Sequence, residues 1–223
     1  WGHGHYLAHR DAEGLMRTRL GADISFQGLR YDEPIQLGEV TVSLHPAGHV
    51  LGSAQIVLDH GGERVVVSGD YKRRPDPTCA PFEPVACDVF ITEATFGLPV
   101  FRHPDTGDEI DKLLAALHAN PDRCVVVGAY ALGKAQRVIA ELRARGHEAP
   151  IYIHGALQRL CDLYADHGVR LGELLPSAQN RIDRSVGSSR APQSCTHGSR
   201  SSWERTRRQP EQPPCATSRR VTS

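Results

Sequence analysis

The sequence predicts an α/β protein with a β-rich first part, a second part in which helices and strands alternate, and a polar tail. Three observations carry that reading. Between residues 38 and 96, apolar runs of strand length are separated by Gly, Pro, Asp and Ser turns. Between 106 and 168, every second run lengthens and takes helical spacing. After residue 177, leucine disappears.

In residues 11–20 (DAEGLMRTRL), Leu15, Met16 and Leu20 lie at helical spacing, with acids early and arginines late, which suits the helix dipole and predicts a short helix. GEVTVSLHPAG, SAQIVLD and ERVVVSGD read as successive strands, the last two joined as a hairpin through His60-Gly61-Gly62. CDVFITEATF, from Cys87, reads as a further buried strand that ends at Gly97 and Pro99. Then TGDEIDKLLAALHANP, RCVVVGAY, LGKAQRVIAELRARGH, PIYIHG and ALQRLCDLYADHG alternate helix with strand, predicting a parallel sheet covered by helices. No internal repeat is visible.

The balance of 26 Lys+Arg against 26 Asp+Glu conceals an asymmetry. From Ser177 onward there are nine Arg and three acids, a net of +6, which leaves −6 for residues 1–176. The tail also carries ten Ser and few large apolar groups, too little to offset the entropy of ordering, so 177–223 is expected to be disordered. Such a basic tail suits a nucleic-acid arm; the loss of Leu and the wealth of Arg fit better with a shifted reading frame of a GC-rich gene.

At 39% hydrophobic over 223 residues, the chain suffices for one ordinary domain or two small ones. No run approaches the roughly 18 apolar residues of a spanning helix, so no membrane role is expected. The start at Trp1, followed by Gly2-His3-Gly4-His5 and not by a secretory leader, reads as a fragment whose beginning lies upstream. Six cysteines without a C-x-x-C pair indicate neither a zinc knuckle nor a disulfide framework, and a reducing, cytoplasmic compartment is expected.

Two strand-end segments could carry chemistry. In HPAGHVLGSA, His49 lies between Gly48 and Gly52-Ser53, where a tight bend leaves the imidazole at a sheet edge. In VVVSGDYKRRPD, a valine strand delivers Asp70 at its carboxyl end. An imidazole and a carboxylate brought to one edge suit zinc or manganese. Each residue alone also reads as a plain turn residue; their order along the chain favours the site.

The stretch from AGHVLGSAQIVLD through VVVSGDYKRRPDP to DVFITEATFG resembles the metallo-β-lactamase-fold nucleases of the β-CASP group, most of all the bacterial ligase-associated DNA exonucleases related to mRNA 3′-end processing factors. The likeness runs over about residues 1–176. It implies a partial metallo-β-lactamase αββα sandwich over 1–97, the start of an α/β β-CASP cap over 98–176, and the tail at 177–223. It further implies that His49 and Asp70 are metal ligands, with Asp70 bridging two divalent ions, zinc or manganese. Glu93, in ITEATFG, would be the acid of the first β-CASP motif, which orients a histidine near the scissile phosphate; otherwise it is a strand-end carboxylate. The expected function is phosphodiester hydrolysis on nucleic acid, DNA before RNA, beside a DNA ligase and a helicase.

The family's H-x-H-x-D-H ligand string is not in the sequence. The crowded His3, His5, His9 and Asp11 have the wrong spacing, so the motif is expected upstream of Trp1. The later S-D-H-A-D element is also missing, and Thr196-His197-Gly198 has no apolar strand before it to place it. With His49 and Asp70 alone, metal binding is expected to be weak and the fragment inactive. Lys72, Arg73 and Arg74 could meet phosphates at the mouth of the site or form a solvated loop. Gly128 to Lys134 has the spacing of a P-loop but continues with Ala135, so it fails as one; as a helix start its amides, with Lys134, could still touch a phosphate. His103, His118, His147 and His167 read as surface residues, and His154 is a strand-end histidine to watch. The competing functions are an RNA-processing nuclease of the same fold and a non-catalytic scaffold that binds nucleic acid through the Arg tail. A glyoxalase-like hydrolase is disfavoured by the long α/β stretch after Asp70.

Overall fold

The computed structural model describes residues 2–98 and 100–177. The tail expectation lies outside the described residues apart from Ser177.

The chain opens with a β-α-β unit. β1 (Tyr6–His9) runs through a 3-10 turn (Arg10–Ala12) and α1 (Glu13–Leu20) to β2 (Phe26–Leu29), and the two strands pair in parallel. His9 caps the turn by accepting the amide of Asp11, and its ring is stacked on Tyr31 at 3.7 Å. A five-stranded sheet follows in the order of the chain: β3 (Ile35–Leu37), β4 (Val40–Pro46), β5 (Ala54–His60), β6 (Glu63–Ser68) and β7 (Val89–Thr92). The pairs from β3 to β6 are antiparallel, and β7 lies parallel to β6 with Ser68 opposite Thr92.

The predicted hairpin is present: Gly61 and Gly62 have φ of 59° and 86°, the double left-handed turn that matches the twist of the flanking strands. Period-2 alternation buries Val42 and Leu44 on one face of the sheet, while Val57 and Val66 are buried on the other.

The second part carries α2 (Thr106–Ala119), α3 (Lys134–Ala144), β8 (Ile151–Ile153), α4 (Gly155–Asp166) and β9 (Leu174–Pro176). The main apolar core is assembled across both parts. Leu15 of α1 and Leu51 of the loop after β4 pack with Ile139, Ala140, Ile153, Leu160, Leu163 and Tyr164. The guanidinium of Arg143 at the end of α3 is buried and donates to the carbonyls of His147, Ala149, Leu171 and Glu173, which ties α3 to the entry of β9.

Two expectations are corrected. The strand at 87–96 exists as β7, but it is exposed: among the described residues it is the edge of its sheet, and Ile91 keeps 53% of its surface. The segment 123–130 forms no strand, and Val126 is 87% exposed. A strand needs a ladder of partners for its amides and carbonyls, and none of the described strands pairs with this run. The parallel sheet of the second part is therefore the β8–β9 pair, with register Ile151 to Leu174. Among the described residues, no helix is long and apolar enough to cross a membrane.

Candidate metal site

The loop that carries His49 is built by two glycines and a serine. Gly48 has φ of 70°, and a Cβ there would stand 2.5 Å from the Lys72 carbonyl oxygen; Gly52 has φ of 69°, and a Cβ would stand 2.4 Å from the Ala12 amide nitrogen. No side chain fits either position without backbone movement. The hydroxyl of Ser53 accepts the amides of His49 and Val50, both at 3.1 Å, closing the bend. The Leu51 amide donates to the buried Tyr164 hydroxyl.

Asp70 follows β6 by two residues, and the amide of Lys72 donates to the Ala47 carbonyl at 2.9 Å, which draws this turn against the His49 loop. As a result, His49 Nε2 lies 3.4 Å from Asp70 Oδ2, both side chains facing solvent at 41% and 64% exposure. Glu93 follows β7, the parallel neighbour of β6, so its carboxylate emerges at the same carboxyl-end edge. It accepts the Thr95 amide at 2.6 Å. Hydrogen bonding from Thr95 holds its pKa below the usual carboxylate value, with the nearby His49 imidazole adding to the effect.

The structure thus pairs His49 with Asp70 and brings Glu93 to the same strand-end edge, within electrostatic reach of His49. An imidazole nitrogen and a carboxylate oxygen at this separation, open to solvent, are a donor set that fits a divalent ion of the zinc or manganese type.

The basic residues divide differently. The Lys72 ammonium is turned to the Asp76 carboxylate, whose side chain is only 3% exposed and also accepts the Thr78 amide and hydroxyl at 3.0 and 2.6 Å. Arg137 Nε stands 3.8 Å from the same carboxylate. Arg74 donates to the carbonyls of His103 and Pro104 at 2.9 and 2.8 Å. Lys72 and Arg74 therefore fasten their loop, although Arg74, like Arg73, is exposed. Lys134 opens α3, exposed, with its ammonium 5.2 Å from the centre of the Tyr130 ring. The preceding Gly133 packs against Val50, where a Cβ would come within 2.5 Å of the valine methyl, so the start of α3 abuts the His49 loop.

The amides at that helix start are used internally. Gly133 donates to Gln136 Oε1 at 2.7 Å, Lys134 to the Leu132 carbonyl and Ala135 to the Tyr130 carbonyl. This corrects the expectation that they would reach a phosphate. His154 caps α4 by accepting the Ala156 amide, and His5 faces Ser25 and Gln27.

One cluster has no counterpart in the sequence reading. Asp32, His45 and Glu83 each place a donor atom within 4.8 Å of the others. His45 shares the string HPAGH with His49, but nothing local marks Asp32 and Glu83 as its neighbours.

The sheet, its parallel β7 and the acid-imidazole edge at the strand ends define a chain with the metallo-β-lactamase fold. No family model matches the sequence. It is 30% identical over 171 residues to a probable DNA ligase of Opitutus terrae, covering 75% of this chain and 17% of that protein. It is 31% identical over 167 residues to cleavage and polyadenylation specificity factor 73 of Drosophila melanogaster, covering 70% and 24%. The chain therefore spans a quarter or less of the length of these relatives. A crystal structure of a protein of unknown function from Enterococcus faecalis superposes with a TM-score of 0.54 at 12% identity, over 84% of this chain and 47% of that one. The chain is a homologue of the β-CASP nucleases, a family that uses divalent metal.

Proposed function

We propose that the protein carrying these residues is a metal-dependent nuclease that hydrolyses phosphodiester bonds, with DNA as substrate, in repair beside a ligase and a helicase. The observation that carries the reading is the pairing of His49 Nε2 with Asp70 Oδ2 at 3.4 Å, beside Glu93, on one sheet edge. His49 and Asp70 would hold the ion, zinc or manganese, which when bound supplies Lewis acidity toward a phosphoryl oxygen. Ser53 fixes the backbone that aims His49, and Thr95 keeps Glu93 ionised, ready to accept a hydrogen bond from a group beside the substrate. Lys134 at the start of α3, and Arg73 and Arg74 on the loop after Asp70, are the exposed cations proposed for backbone phosphates, with Lys72 beside them.

Residues 1–97 are proposed as part of the metallo-β-lactamase unit and 98–176 as part of its cap. The free thiols of Cys79, Cys87, Cys124 and Cys161 support placement in a reducing cytoplasm. The 223-residue chain alone, with His49 and Asp70 as its metal ligands, is proposed to be inactive.

The test is cleavage of matched labelled single-stranded DNA and RNA, in zinc or manganese, by the gene product expressed with the codons that flank this chain. His49→Ala and Asp70→Asn serve as the variants. Metal-dependent release of mononucleotides from DNA, lost in both variants, is expected. Undiminished cleavage in both overturns the reading, and cleavage of RNA alone replaces the DNA substrate with the RNA-processing one.

A further inference from the structure

We propose that Asp32, His45 and Glu83 form a second, structural metal site, which takes a divalent transition ion of the zinc class and clasps two loops onto β4. The proposal does not depend on the nuclease reading, because it concerns other residues and a different role.

The donors come from three separate segments: the turn after β2, the carboxyl end of β4 and the loop before β7. Backbone hydrogen bonds bring the three segments together. The two carbonyls of β4 that flank His45 each receive one of the flanking acids' amides. Asp32 N–H donates to the Leu44 carbonyl at 2.9 Å, and Glu83 N–H donates to the Pro46 carbonyl at 3.3 Å. Gln55, fully buried on β5, locks the second clamp by donating to the carbonyls of both Pro46 and Glu83, at 2.9 and 2.7 Å. The backbone of one acid is thereby held on each side of His45, and the side chains of both acids are exposed.

The imidazole is oriented as well. His45 Nδ1 stands 2.8 Å from Asp32 Oδ1, while its Nε2 lies 3.3 Å from the Ser43 hydroxyl on the same face of the strand. This is the arrangement in which the second ring nitrogen is held by a neighbour while the first faces the ligand position. Asp32 occupies the left-handed region at φ of 59°, the only non-glycine with positive φ among the described residues. An aspartate there costs backbone energy that glycine would avoid.

Charge supplies the remaining argument. Among the described residues, no Lys or Arg pairs with Asp32 or Glu83, so two carboxylates face one histidine without a compensating cation. A neutral imidazole and two carboxylates sum to −2, which matches a divalent ion, and the nitrogen donor favours zinc over calcium or magnesium.

The experiment is metal titration of the metal-stripped full chain with zinc by calorimetry, and with cobalt(II) by visible absorption. Asp32→Gly removes one ligand while relieving the backbone, so this variant keeps its fold; His45→Gln and Glu83→Gln remove the others. His49→Ala/Asp70→Asn silences the edge assigned to the nuclease. Zinc should bind the His49/Asp70 double variant, raise its melting temperature and give a cobalt spectrum with nitrogen and oxygen ligation. All three signals should be lost in Asp32→Gly, and Ser43→Ala should weaken binding by roughly 10-fold or more. Parental binding in Asp32→Gly or His45→Gln overturns the site. So does loss of all binding in the His49/Asp70 double variant, which leaves the nuclease reading standing; failure of that reading with the second site intact is equally visible.

Discussion

The backbone amide of Leu51 donates to the hydroxyl of Tyr164 over 3.1 Å, a contact between the loop that aims His49 and a side chain of α4 with no exposed surface. Burial pushes the Tyr164 pKa up to about 12, so this hydroxyl stays neutral at any physiological pH.

Tyr164→Phe keeps the ring in the core and leaves the Leu51 amide without an acceptor. The expected cost is about 1–3 kcal/mol of unfolding free energy, the penalty of a buried unsatisfied donor. Urea denaturation measures it, and an unchanged midpoint would show that the loop is held by Ser53 alone.

Asp76 is buried against Lys72 and Arg137. Removing the acid alone strands two cations, so Asp76→Ala should destabilise by about 3–5 kcal/mol. The double change Lys72→Met/Asp76→Leu leaves Arg137 as the only stranded cation and should recover part of that loss. Equal losses in the single and double variants would contradict the pairing.

Much of this was legible in sequence, and the rest was not for specific reasons. The Gly61-Gly62 hairpin, β4 and the placement of His49 and Asp70 at strand ends follow from local turn chemistry and period-2 alternation, which act within a few residues. Lys72 and Arg74 show why charge alone misleads. The sequence displays the cation, but its partner is a buried acid in one case and two carbonyls thirty residues away in the other. The exposed run at Val126 and Val127 has strand composition without a strand beside it, and composition does not reveal partners. The grouping of Asp32, His45 and Glu83 depends on backbone hydrogen bonds between segments that no local pattern connects.

His9 is buried, and its pKa is lowered from 6.5, chiefly by desolvation and against the opposing pull of Asp11. The unfolded chain therefore binds more protons than the folded one in the window just below pH 6.5, and stability falls as pH drops through it. The urea midpoint should decline from pH 7.5 toward 5.5 in the parent, and the decline should be shallower in His9→Gln.

Gly52→Ala places a methyl against the Ala12 backbone at a left-handed φ. It should cost more than about 1 kcal/mol and shift the His49 loop. Gly61→Ala, with open space around it, should cost only the backbone preference. Thermal melts of the two variants side by side separate steric from conformational cost.

Among the described residues β7 is the edge of its sheet, with Val89, Phe90 and Ile91 exposed. Ile91→Lys should slow the growth of light scattering on concentration, because a charge on an exposed edge strand opposes edge-to-edge pairing. Unaltered scattering would place the association surface elsewhere.

α3 is fastened at its far end by Arg143 and rests at its near end, through Gly133, on the loop of His49. Over 11 residues it is a strut of about 16 Å. Packed at its middle through Ile139 and Ala140, it cannot swing freely about either end, so a displacement of β9 would travel along it into the His49 loop and, through the Lys72 amide on the Ala47 carbonyl, into the turn that carries Asp70.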